Sequence, residues 1–240
     1  MVENVDVEHG PPSSWVTRAA ERAPSVQNSR LRSMQRAQQI VDAARRLLTQ
    51  RPGDFTTHEL VREAGIAIQT LYKHFPSKDH VMLAVLEDMI GEGVERYRRS
   101  GASIQDPLER LRFYVYSVFE DLDAPGTSFI PAEHWRLIQL YPDEVEHARQ
   151  PVAELFAAAL QEAAQEGLVA PADIEQAAWF TNQLLLSTFH HLSFATTRES
   201  PDVVAANLWA FLLPAYGGGP APRPALPPPL PGAVAEVAAG

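Results

Sequence analysis

"TTHELVREAGIAIQTLYKHFPSK", residues 56–78, sets two short apolar patterns on either side of one glycine. Thr56 and Glu59 stand three apart, just ahead of Leu60 and Val61, which is the spacing of an N-cap and its capping-box acid. A helix therefore starts there, places Leu60, Val61 and Ala64 on one face, and stops at Gly65. A second short helix follows, burying Leu71 and Phe75, and Pro76 blocks its continuation. Two short helices about a glycine turn predict a helix-turn-helix, whose second helix enters the major groove of DNA.

The helical period of about 100° per residue tests that reading. Gln69 and Lys73 fall on the side directly away from Leu71 and Phe75. Glutamine pairs bidentately with adenine and lysine reaches guanine O6 and N7, so these two are the expected base readers. Ile68 either packs inward or meets a thymine methyl. Thr70, Tyr72 and His74 lie on the flanks, where hydroxyl and imidazole groups touch phosphates and fix register. The Tyr72 ring has a second reading, as a cover for the small core with only its hydroxyl exposed. Thr57 and Lys78 lie near helix N-termini, where backbone N–H groups also attract phosphate.

Outward from this segment nearly everything reads as helix. Ala37, Ile40, Val41, Ala44, Leu47 and Leu48 recur on one helical face, and "RPGD" at 51–54 ends that helix. Ser77 caps a fourth helix running to about Arg99, and Asp106-Pro107-x-Glu109 opens a fifth over 106–122. Pro131 opens a sixth around Trp135, and Pro142 a seventh reaching Gly167, with Pro151 either kinking it or marking its true start. Pro171 begins an eighth helix over 171–195 and Pro201 a ninth over 201–215. No alternating strand pattern occurs, so the predicted class is all-α. Residues 1–29 read as a flexible arm and the Pro/Gly/Ala-rich residues 217–240 as a disordered tail.

The chain of 240 residues has a formal charge of −10, distributed unevenly. Residues 30–80 carry a net +4 and residues 81–240 a net −12, which points to a polyanion-binding head on a body that avoids DNA. The stretch before Arg36 reads either as a merely disordered leader or as a flexible arm in which Arg30 and Arg32 add minor-groove contacts. Cysteine is absent, which excludes disulfides and thiolate chemistry. No signal peptide and no apolar run long enough for a bilayer are read, so a cytoplasmic location is expected. No Gly-x-Ser-x-Gly, phosphate-cradling glycine loop or spaced metal ligands are found, and no enzyme activity or cofactor is expected. His134, His147, His190 and His191 show no ligand spacing, and the adjacent pair point about 100° apart on a helix.

Residues 36–80 resemble the DNA-binding domain of the tetracycline-repressor-like (TetR) family of bacterial transcription regulators. The resemblance rests on the apolar-striped first helix, "TTHELVREAGI", and "TLYKHFPSKD" leading into the fourth helix. It implies a three-helix DNA-binding domain over residues 30–80 and a ligand-binding and dimerisation domain over 81–216, about nine helices in all. It further implies a homodimeric repressor, released from a palindromic operator by a small apolar ligand. One departure is Ala67, which stands where the family commonly has a small polar residue and cannot cap the recognition helix. Aromatic density in the body suits plain core or an apolar pocket; Phe113, Tyr116, Trp135, Phe180 and Gln183 are the candidate liners. The last two helices are apolar on more than one face and must be buried within the body or against another chain. By resemblance they form a four-helix dimer interface, here through Leu184, Phe194, Leu208, Phe211 and Leu212. Alternative readings are an architectural DNA binder without effector and a helical enzyme acting on an apolar substrate.

Overall fold

The computed structural model describes residues 22–50, 55–120, 129–196 and 199–217, together with Trp15 and Leu122. Among the described residues there are nine bounded α-helices and no strand. In chain order they are α1 (Pro24–Gln50), α2 (Thr57–Ala64), α3 (Ile68–His74), α4 (Lys78–Gly101), α5 (Pro107–Glu120), α6 (Phe129–Leu140), α7 (Pro142–Gln165), α8 (Ile174–Phe194) and α9 (Pro201–Ala215). Two compact units divide at Val85/Leu86, inside α4. That division lies five residues beyond the predicted one at 80/81, with the buried Val81, Met82, Leu83 and Val85 on the first unit's side.

The first unit is built on the apolar face of α1, where Ile40, Val41, Ala43, Ala44, Leu47 and Leu48 are buried. Helix α1 begins at Pro24, so residues 24–29 are helical where an arm was expected, and Arg30 and Arg32 stand on its exposed first half. The run after Pro24 has no glycine or further proline to stop a helix, and proline is tolerated at the first position. The "RPGD" stop and the tail beyond Gly217 lie outside the described residues. In α2 the capping box forms as predicted: the Glu59 N–H donates to Thr56 Oγ1 at 3.2 Å, and the Thr56 N–H to Glu59 Oε2 at 2.9 Å. Gly65 ends α2 at φ 64°, a left-handed conformation that glycine adopts without steric cost. Gln39 Nε2 then donates to the Ala64 carbonyl at 2.6 Å, tying the end of α2 to α1.

The second unit packs α5 through α9 around Leu111, Val115, Phe119, Phe156, Leu160, Leu185 and Trp209, all buried. Asp106 caps α5, its Oδ1 accepting from the N–H groups of Leu108 and Glu109 at 2.8 and 3.1 Å. Helix α6 starts at Phe129, two residues ahead of the predicted Pro131, and α7 runs through Pro151, which is therefore not its start. Helix α8 starts at Ile174 rather than Pro171, because Asp173 is the residue whose carboxylate accepts from the Gln176 N–H, at 2.9 Å. Tyr216 closes α9: its carbonyl accepts from Ala170 N–H at 2.7 Å and its hydroxyl bonds to Thr181 Oγ1. No described helix is long and apolar enough to cross a membrane.

Two glycine substitutions should move stability in opposite directions. Gly65→Ala is expected to cost about 1–2 kcal/mol in urea unfolding, the penalty of a left-handed L-residue. Gly91→Ala, inside α4 where an added Cβ meets nothing within 4 Å, is expected to gain about 0.5–1 kcal/mol.

Candidate functional site

Helix α3 has only seven residues, and one side chain fixes how it lies. Leu71 is 1% exposed within the first unit. Gln69 and Lys73 are exposed on the side away from it, Tyr72 is exposed beside them, and Ile68, Thr70 and His74 are half-buried. Tyr72 is 50% exposed, more than a residue that shows only its hydroxyl would be. Phe75 departs from the predicted wheel: it lies just past α3 in extended backbone (φ −129°, ψ 117°) and is half-buried. The cause is Pro76, which disfavours helical geometry at the residue before it. Ala67 precedes α3 in extended conformation and makes no side-chain cap bond, as an alanine must.

Thr57 and Lys78 are the first residues of α2 and α4, both half-buried. The Lys78 ammonium lies 5.0 Å from the centre of the buried Phe55 ring, a cation–π contact that restrains its charge. Sequence reasoning missed Phe55. The signal was available, since Phe55 precedes the Thr56 cap and Leu60 stands at the fourth helical position, the pattern of a hydrophobic staple. It also missed Gln39, whose long-range bond to Ala64 no local pattern announces.

In the body, the five candidate pocket residues are not brought into one cavity. Phe113 and Tyr116 pack, partly buried, against the main core. Phe180 lines a pocket of about 430 Å³ between α8 and α9 with Leu184, Phe211, Leu212 and Tyr216. Trp135 lines a different pocket, of about 350 Å³, with Ser187, His190, His191, Phe194 and Ala195. Gln183 lines neither; its Oε1 accepts from Arg149 Nη2 at 3.4 Å. Of the candidate interface residues, Phe194 and Phe211 are 61% and 65% exposed, and Leu184 and Leu208 are half-buried. Leu212 differs from the other four: it is 2% exposed, packed in this chain's own core, and reaches the surface only as part of the pocket beside Phe180.

One arrangement has no counterpart in the sequence reading. His134 on α6 and His190 on α8 are buried, their rings 5.1 Å apart between centres, and none of their four ring nitrogens has a hydrogen-bond partner. Burial, then the nearby charge of Arg149, hold His134 well below the ordinary histidine value, at about 4. The same two causes lower His190. Both rings are neutral near pH 7. Among the described residues no group of three His, Asp or Glu is placed to hold a metal ion.

A capped helix, a left-handed glycine and a short helix pinned by one leucine define a helix-turn-helix protein. Residues 40–85 match the family described as "Bacterial regulatory proteins, tetR family". The chain is similar to the HTH-type transcriptional repressor KstR2 of Rhodococcus jostii, with 28% identity over 113 residues, 47% of this chain and 51% of that protein. It spans about half the length of the curated relatives it matches. Its fold resembles a TetR-family transcriptional regulator from Pectobacterium atrosepticum (TM-score 0.66, 20% identity, covering 81% of this chain and 99% of that one). It also resembles the transcriptional regulator FadR from Bacillus subtilis in complex with stearoyl-CoA (TM-score 0.62, 15% identity, 74% and 98%).

The histidine pair makes a prediction with a definite sign. A base whose folded value lies below its unfolded one binds fewer protons when folded, so its contribution to stability is complete above about pH 6.5 and is lost as pH falls toward 4. For His134 the loss reaches about 3 kcal/mol by pH 4. Urea unfolding of wild type and His134→Gln across pH 7 to 4 should show the wild type falling more steeply, with carboxylate effects common to both.

Proposed function

We propose that this protein is a homodimeric, sequence-specific transcriptional regulator, a repressor that leaves its operator when a small ligand enters the body. The observation that carries the reading is the exposed Gln69/Lys73 edge of α3, opposite buried Leu71, inside the segment that matches the family. Gln69 and Lys73 read base edges in the major groove, with Ile68 beside them for a thymine methyl. Thr57, Thr70, Tyr72, His74 and Lys78 hold phosphates on either side, and the +4 charge of residues 30–80 supplies the salt-dependent attraction. The protein works in the cytoplasm, where its DNA is.

Dimerisation supplies specificity that one seven-residue helix lacks, since two heads engage the half-sites of a near-palindrome. The exposed Phe194 and Phe211, flanked by Leu184 and Leu208, support α8 and α9 as the surface that pairs with a second copy. Two pockets along α8 support effector binding in the body, and the stearoyl-CoA complex of the structurally similar FadR agrees with an effector that has an apolar part. The effector acts by preferring the form in which the heads no longer match the two half-sites, and α4, which contains the boundary between the units, transmits that preference. A shift from about 1:99 to 99:1 needs about 5.5 kcal/mol of differential binding.

The test uses a duplex selected by the wild-type protein from a random library, and a scrambled duplex of the same composition. Gln69→Ala/Lys73→Ala is expected to weaken the selected duplex at least tenfold, from about 1–3 kcal/mol per lost base contact, and to change the scrambled one far less. Fluorescence anisotropy reads both. An unchanged ratio of the two affinities removes these residues as readers.

A further inference from the structure

We infer that the pocket beside Trp135 and Phe194 is a site for an organic carboxylate, with Arg149, His134 and His190 holding its charged end. This deepens the proposed function, and rests on it only for the claim that the ligand is an effector.

Arg149, on α7, is 5% exposed, yet its guanidinium is poorly matched. Among the described residues its partners are Gln183 Oε1 at 3.4 Å and Glu146 Oε2 at 3.8 Å, and the Glu146 side chain is largely in solvent. A guanidinium has five N–H donors in a planar fork, and a buried charge is stable only when paired. His134 and His190 are 2% and 4% exposed and add two unpartnered rings to the same place. A neutral imidazole offers one N–H, so the pair brings two more donors.

Helix α8 joins this cluster to the pocket. Gln183, Ser187 and His190 are spaced four and three residues apart and so share one helix face. Gln183 bonds to Arg149 at one end, while Ser187 and His190 line the pocket at the other. The remaining walls are mostly apolar, from Trp135, Phe194 and Ala195. His190 is the member of the cluster on the pocket wall; His134, with its ring 5.1 Å from that of His190, and Arg149 are buried beside it and do not line the pocket. A head group that reaches past His190 meets the donors and the positive charge, while an apolar body stays under the aromatic mouth, so the place selects a molecule with an anionic head and an apolar body. A cation is refused by Arg149. A planar carboxylate matches the guanidinium fork. Because both rings are neutral near pH 7, the arriving anion meets N–H donors and one full positive charge, and the acid beside Arg149, Glu146, keeps its side chain largely in solvent.

The experiment is isothermal titration of the full chain with benzoate and octanoate, each against its neutral amide, benzamide and octanamide. At least one acid is expected to bind ten-fold or more tighter than its amide. In Arg149→Gln that acid should weaken at least ten-fold while the amide is unchanged, and Arg149→Lys should restore part of the difference. Equal affinity for acid and amide in the wild type overturns the site whether or not the variants fold, as does failure of both acids to bind. Full acid affinity in a folded Arg149→Gln protein overturns it too. Operator affinity measured with and without the bound acid separates the two readings. An acid that needs Arg149 but leaves operator affinity unchanged supports the site and ends the effector role. Lost acid selectivity with intact operator binding ends the site alone.

Discussion

Burial of Leu71 is the constraint from which the outward chemistry of the first unit follows. A seven-residue helix has no length to spare: with helical nucleation so costly, its geometry comes from tertiary contact rather than propensity. One buried leucine sets its rotation, and Gln69 and Lys73 then have no other side to occupy. Everything beneath serves that placement. The α1 face supplies the floor, the Thr56–Glu59 box fixes where α2 begins, Gly65 fixes where it ends, and Gln39 ties that end down. Absence of a cap at Ala67 makes this support more necessary, because α3 lacks the side-chain bond that would steady its first turn.

The body obeys a different economy. Its α5–α9 core is conventional, apolar and well filled, but between α6, α7 and α8 it encloses an arginine and two histidines with few acceptors among them. Burying polar groups unpaired is unfavourable, so the same residues lower stability in acid and define the one donor-rich corner described here. Stability and recognition draw on the same residues there. The first unit, by contrast, keeps Gln69 and Lys73 in solvent, where they cost the fold little.

Sequence periodicity made the head legible because each signal was local: a capping box, a glycine stop, a proline stop and a wheel with one strong inward position. The misplacement of Phe75 came from carrying the helix a residue too far into the influence of Pro76. The early start of α1 was hidden because residues 24–36 carry no buried stripe to mark a helix. The body was less readable for a physical reason. Helices α8 and α9 are apolar nearly all round, so composition could not separate the inward Leu212 from the outward Phe211 beside it. Nor could it show that Trp135 and Phe180 line different pockets, or that His134, Arg149 and His190, far apart in the chain, meet. Such juxtapositions are set by helix crossing, which no short window of sequence encodes.

Helix α1 has its first buried side chain at Ile40, sixteen residues after it begins. At about 1.5 Å per residue, some 24 Å of it stands on propensity alone, near the length at which isolated helices are marginal in water. Burial around Leu47 and exposure around Val26 make the second half of the helix the better protected against amide exchange. The basic Arg30 and Arg32 stand on the half without buried anchors, while the floor beneath α3 is built from the half that has them.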